Sequence, residues 1–317
     1  MTADLVAILD WSAASTPRRG RDSIWLGMAR VTDGNPANPR LTSCNPPTRS
    51  EAEAALHQLI ADCLADGKRL LIGADFGFGY PAGFARTLTG QAAALAVWEW
   101  LAARIEDDAR NRNNRFAVAA AANRALPGLG PFWFRPAAQG FADLPLKGRA
   151  RHGHGLAEFR AVEQLSPGAQ SMWKLGGAGS VGSQALTGLP VLWRLRTAFP
   201  GRVAVWPFEP AWRDAPVVLA EVFPSLLADQ VAALCTRDDS ARPVKDAVQV
   251  RLLAGALARL AGSGGLEPLL EAVPDDPLIR AEEGWILGAG PGGAMAALGQ
   301  AAQAVGTEAL PPPEKDA

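Results

Sequence analysis

Four acidic residues stand where carboxylates could do chemistry. Asp10 closes the apolar run Leu5–Leu9, and Asp75 closes a second, Leu70–Ala74. Glu221 lies within the run Val217–Val222, and Asp246 lies in the first turn of the amphipathic stretch Val244–Leu260. An ionised carboxylate beside an apolar strand is costly to bury unless it is paired or holds a cation. Two that converge cost more, because each raises the other's pKa. A hard divalent ion, Mg²⁺ or Mn²⁺, resolves that conflict by taking carboxylate oxygens. Ions held in this way support phosphoryl chemistry, in which attacking and leaving oxygens are both clamped. A strand-closing Asp also serves as a turn former or helix N-cap, and an Asp in a first turn favours the helix dipole with no further role. The order of the four acids along the chain favours the metal reading over four separate turn formers.

A second candidate is the run Gly177-Ala-Gly179-Ser-Val-Gly182, which matches GxGxxG. That pattern signifies dinucleotide binding only between a strand and a helix. Ser171–Leu175 is a poor strand, so the run reads as a loop whose backbone N–H groups are able to meet an anion, with Lys174 and Gln184 flanking it. Gly177, Gly179, Gly182 and Lys174 are the candidate phosphate contacts, against the plainer reading of Lys174 as solvated. Ser180 also stands in a degenerate nucleophile elbow, but a serine hydrolase needs a histidine, and only His57, His152 and His154 exist. His152-Gly-His154 lacks the further ligands of a zinc site and reads as an exposed loop. The locally basic stretch Arg149–Arg160 is able to neutralise phosphates beside an acidic site. Trp25, Trp98, Trp193 and Trp285 fall in apolar patterns and read as core, whereas Trp11 follows a proposed ligand and could stack on a base.

The elements that must position these residues follow from hydrophobic periodicity. Leu5–Leu9, Ser23–Val31 and Arg40–Cys44 read as three strands, separated by Gly, Asn and Pro turns. Ser50–Leu64 reads as a helix with a capping box of Ser50 and Glu53, followed by the strand Leu70–Ala74. Gln91–Ile105 is helical, and a loop-and-helix insertion is expected over about 90–200. Val203–Trp206 and Val217–Val222 are strands, and Val244–Leu260 is the strongest helix. Three consecutive strands pair as a meander, and a helical crossover adds a parallel fourth. The expectation is one α/β domain over residues 1–304, a mixed sheet with flanking helices, and a disordered tail over 305–317.

Composition narrows the partners. The chain has 317 residues, 31 Lys+Arg and 32 Asp+Glu, for a formal net charge of −1. That balance gives no overall pull toward nucleic acid, although the cations could still segregate to one face. Three widely spaced cysteines, Cys44, Cys63 and Cys235, form no disulfide framework, and no apolar run approaches the roughly 18 residues of a membrane span. The opening MTADLVAILDW carries no basic segment typical of a signal peptide, so a cytoplasmic protein is expected.

The runs Val6-Ala-Ile-Leu-Asp10-Trp-Ser12, Ile72-Gly-Ala-Asp75-Phe-Gly-Phe-Gly-Tyr-Pro81 and Glu221-Val-Phe-Pro224, with Lys245-Asp246-Ala247 and Glu283-Gly-Trp-Ile-Leu-Gly288, resemble the motifs of a family of predicted nucleases with a ribonuclease H-like fold. The resemblance runs from the first strand to about Gly288. It implies a ribonuclease H-like core with metal-ligating acids at Asp10, Asp75 and Asp246, and Glu221 as a further catalytic candidate. It implies a divalent-metal nuclease or phosphodiesterase acting on nucleic acid or a nucleotide. Some relatives are linked to molybdopterin guanine dinucleotide synthesis, which makes a non-catalytic nucleotide- or cofactor-binding protein the alternative. An actin-like phosphotransferase also begins with a strand ending in Asp, but this chain lacks the second copy of that core.

Overall fold

Runs of Val, Leu, Ile and Ala bounded by turn residues produce six strands, and the segments of helical period cover them. The computed structural model describes residues 2–32, 35–236, 243–290 and 293–307. In it β1 (Leu5–Asp10), β2 (Trp25–Thr32) and β3 (Asn35–Cys44) form an antiparallel meander. The helix α1 (Arg49–Ala65) then crosses to β4 (Leu70–Ala74), which pairs parallel to β1. Next come α2 (Phe84–Thr89), α3 (Ala94–Ala102), α4 (Arg115–Arg124), α5 (Ala161–Gln164) and α6 (Val181–Ala198). The strands β5 (Val203–Val205) and β6 (Val217–Glu221) are parallel additions, giving the sheet order β3-β2-β1-β4-β6-β5. The helices α7 (Ala228–Thr236), α8 (Lys245–Ser263), α9 (Leu266–Glu271) and α10 (Gly293–Thr307) follow. The protein is therefore a mixed α/β protein with a six-stranded mixed sheet flanked by helices.

Strand residues alternate between two cores, as a side-chain period of two requires. Leu5, Ala7, Leu9, Leu70, Ile72, Val217 and Leu219 pack with Leu56 and Ile60 of α1 and Leu186, Leu189 and Leu192 of α6. Val6, Ile8, Leu71, Val218 and Ala220 face the other way, onto Val250, Leu253, Ala254 and Leu257 of α8. Each such side chain, when fully buried, contributes about 1.5–3 kcal/mol relative to exposure. Gly27 on β2 lets α8 lie directly on the sheet, because a Cβ there would sit 2.6 Å from the Val250 carbonyl carbon.

Several boundaries differ from expectation. The N-cap of α1 is Thr48, whose hydroxyl accepts from the Glu51 N–H, so capping begins two residues before the expected Ser50 and Glu53. Trp98 and the apolar face of α6 join the same core as β1 and β4. Of the expected tail, 305–307 belong to α10, and 308–317 lie outside the described residues. Among the described residues, no helix is long and apolar enough to cross a membrane.

Candidate functional site

The pairing of β1 with β4 brings the first two acids together. Leu9 is in parallel register with Ala74, so Asp10 and Asp75 leave the sheet side by side. Counting in twos from Ile8 and Leu71 places both on the face covered by α8. The Asp75 N–H donates to the Leu9 carbonyl at 3.1 Å, and the Trp11 N–H donates to Asp75 Oδ1 at 2.7 Å. The Asp10 and Asp75 carboxyls are close enough to interact, and a proton on Asp10 would let it donate to Asp75. Burial, then the negative charges of Asp75 and Asp246, hold Asp10 well above the usual carboxylate range. Burial pushes Asp75 up to about 7, opposed by the Trp11 N–H and by the hydrogen bond from Asp10. Both side chains remain partly open to one cleft.

Asp246 reaches that cleft from the start of α8. Its Oδ2 accepts the Asp22 N–H at 2.8 Å, and its other oxygen has no hydrogen-bond partner among the described residues. Burial raises the Asp246 pKa, with the Asp22 N–H opposing it. Asp22 has a left-handed backbone, φ 54°, a conformation that Asp tolerates better than most residues. The cleft encloses about 620 Å³ and is bordered by Asp10, Asp22, Asp75 and Asp246 on its acidic side. Among the described residues no three His, Cys, Asp or Glu side chains are gathered into a closed metal-ligand set. The acids thus share a cleft without yet converging on one point.

The rest of the lining includes the loop Gly176–Ser180, the start of α6, and the side chains Arg18 and Arg115. Gly177 and Gly179 line the cleft as expected, both with positive φ. The loop follows no strand, only an isolated bridge between Lys174 and Trp133, so the strand-loop-helix context of a dinucleotide site is missing. Lys174 is not among the residues that line the cleft, and its Nζ donates to the Ala178 carbonyl at 2.5 Å. Gly182 lies in the first turn of α6, where its N–H donates to the Lys174 carbonyl at 3.1 Å. These two residues shape the loop and do not border the cavity.

Glu221 is elsewhere. Its register partner is Ala74, one residue before Asp75, so its side chain points to the opposite sheet face. It is 3% exposed and occupied there. Arg160 Nη1 and Nη2 donate to it at 2.8 and 2.6 Å, and the Phe78 N–H donates at 2.8 Å. Neither His152 nor His154 borders the cleft, nor does any residue of the basic stretch. Arg151 pairs with Glu158, and Arg160 with Glu163 and Glu221. Trp11 is core, with its ring 6.1 Å from Phe76 and its Nε1–H donating to Thr187.

Sequence reasoning missed three residues. Asp22 is the fourth acid of the cleft, and Arg115 is the half-buried cation facing it. Arg49, 1% exposed, donates to the carbonyls of Ser12 and Ala14 and pairs with Asp107, so it fixes the loop that follows Asp10. The Gly20-Arg-Asp22-Ser turn before β2 was a readable signal for Asp22. Arg49 and Arg115 had none, because apart from Asn113 beside Arg115 their partners lie 35 to 100 residues away. No family model, no curated protein and no solved structure matches this chain.

Proposed function

We propose that this protein is a divalent-metal-dependent phosphodiesterase on a ribonuclease H-like core, acting on nucleic acid or a nucleotide. The observation that carries the reading is the placement of Asp10 and Asp75 side by side at the ends of adjacent parallel strands, with Asp246 in the same cleft. A meander, a helical crossover and a parallel fourth strand, with acids at the first and fourth strand ends and on the helix lying over β1, support the fold assignment. So does the open location, since ligands of α/β sheets bind beyond the carboxyl ends of the strands.

The donor chemistry fits Mg²⁺ or Mn²⁺. Two adjacent, partly buried carboxyls, both held above the ordinary carboxylate range, lack the positive charge that a hard cation brings. Asp10, Asp75 and Asp246 would hold the ion, and Asp246 has an uncommitted oxygen to give. Bound there, the ion would supply a Lewis acid and acidify a water molecule for attack on phosphorus. The chain's own part is positional. The Trp11 N–H fixes one oxygen of Asp75, the Asp22 N–H fixes one of Asp246, and Arg49 holds the Ser12–Ala14 loop beside them.

The test is turnover of single-stranded DNA, RNA and a small phosphodiester with Mg²⁺, Mn²⁺ or EDTA. At least one substrate class should be cleaved only with metal, and Asp10→Asn and Asp75→Asn should each bring cleavage to background. Full turnover in either variant would overturn the mechanism. One observation favours a second reading, a non-catalytic nucleotide or cofactor binder, namely that the acids form no closed ligand set among the described residues. Nucleotide binding without any metal-dependent cleavage would select it.

A further inference from the structure

Resting on the phosphodiesterase reading, the rest of the cleft lining says what size of substrate the cleft accepts. Arg115 is partly buried, and its guanidinium is held by neutral groups. Nε donates to Ser183 Oγ at 3.0 Å, and Nη1 donates to Asn113 Oδ1 at 2.8 Å and to Ser15 Oγ at 3.2 Å. Its guanidinium carbon lies 4.5 Å from the Phe116 ring centroid. Nη2 has no protein partner, and no carboxylate pairs with the side chain among the described residues. Burial, and then the nearby Arg49 charge, pull its pKa down to about 10, with the Asp107 charge opposing them only in part. Two deeper arginines differ, since Arg49 has Asp107, and Arg160 has Glu163 and Glu221. A partly buried cation without an anion, beside a cavity, is arranged for an anionic ligand.

The cleft also limits how much anion it can take. Its lining carries two cations, Arg18 and Arg115, against four acids. Proteins that hold a nucleic-acid strand make on the order of six to ten phosphate contacts, and most of their affinity comes from them. A cavity of about 620 Å³ lies within the range that encloses a drug-sized or mononucleotide-sized ligand. We propose that Arg115 binds a phosphate of the substrate, and that the substrate is a small phosphoester of nucleotide size, not a polymer strand.

The experiment uses the full chain in EDTA, so that no metal step enters. Inorganic phosphate and adenosine monophosphate are titrated against the wild type, Arg115→Gln, Arg115→Lys and Arg112→Gln, with a strand of about 20 nucleotides as competitor. Losing a charge-assisted contact should weaken both probes by about 10- to 100-fold in Arg115→Gln, with partial recovery in Arg115→Lys. Arg112→Gln, an exposed arginine that does not line the cleft, should keep phosphate binding. In case Arg115→Gln does not fold, phenylglyoxal labelling of Arg115 is followed by peptide mass in the wild type, where phosphate should protect it. Unchanged affinity in a folded Arg115→Gln, or labelling indifferent to phosphate, would overturn the assignment. A strand binding more than roughly tenfold tighter than the mononucleotide would overturn the size class. Phosphate binding through Arg115 without metal-dependent cleavage would leave this inference standing and sink the phosphodiesterase reading. Metal-dependent cleavage without phosphate protection would do the reverse.

Discussion

The Asp10–Asp75 pair makes folding stability depend on pH with a definite sign. Both carboxyls have folded pKa values above their unfolded ones, Asp75 at about 7. Such groups favour the native state while protonated, and that advantage is lost as pH rises from the ordinary carboxylate range through about 7. In EDTA the melting temperature should therefore fall between pH 5 and pH 8. Mn²⁺ should restore much of the loss at pH 8 by binding the native state. Asp75→Asn should flatten the EDTA profile and raise the melting temperature at pH 8, since the amide oxygen still accepts the Trp11 N–H. A steeper decline in Asp75→Asn than in wild type would show that its charge stabilises the fold. Both acids were legible in the sequence, because each ends an apolar run where a buried charge needs a reason. Glu221 ends a similar run, but strand register decides which face it meets, and register is not written in one strand.

The start of α8 owes its position to β2. A Cβ on Gly27 would meet Val250 backbone atoms at 2.6 and 2.7 Å, and backbone cannot yield as a flexible side chain can. Gly27→Ala should push α8 outward, cost about 1–3 kcal/mol in urea unfolding, and weaken Mn²⁺ binding by moving Asp246. A fully stable variant with unchanged Mn²⁺ affinity would show that the helix tolerates the shift. The glycine loop behaves differently. Gly179 has φ 69°, and a Cβ there would lie 2.6 Å from Gln170 Cγ, so Gly179→Val should lose stability along with any binding. Gly177 has more room, with the nearest side-chain atom at 3.9 Å, but its φ of 75° strains any L side chain, so Gly177→Ala should cost about 1–2 kcal/mol of loop stability before any ligand contact is lost. Helical period revealed α8, and apolar runs revealed β1, β4 and β6. The closeness of α8 to β2 was not legible, because a lone glycine in a strand has several explanations.

On the far side of the sheet, one buried charge network ties distant parts of the chain together. Arg160 bonds Glu163 just ahead in α5, Glu221 at the end of β6 and the Glu283 carbonyl. Glu282 accepts the Gly83 N–H, and Glu283 accepts the N–H groups of Ala82 and Ala161. The segment after β4, the loop before α5 and the stretch before α10 thus meet at one place, and Leu287 adds a hydrogen bond to the Glu221 carbonyl. Burial raises the Glu163 pKa, with Arg160 opposing it, so the cluster depends on its single guanidinium. Removing one member of a buried ion pair leaves a charge without compensation and costs about 3–5 kcal/mol. Arg160→Met should therefore lower the urea midpoint sharply, and Glu221→Gln should lower it less, because Arg160 keeps Glu163. Neither lies at the cleft, so folded protein of either variant should bind Mn²⁺ with wild-type affinity. Asp75→Asn should show the opposite combination, with stability kept or raised and Mn²⁺ binding lost. A Glu221→Gln protein that melts like wild type yet no longer binds Mn²⁺ would return Glu221 to the metal site and undo the separation of the two sheet faces.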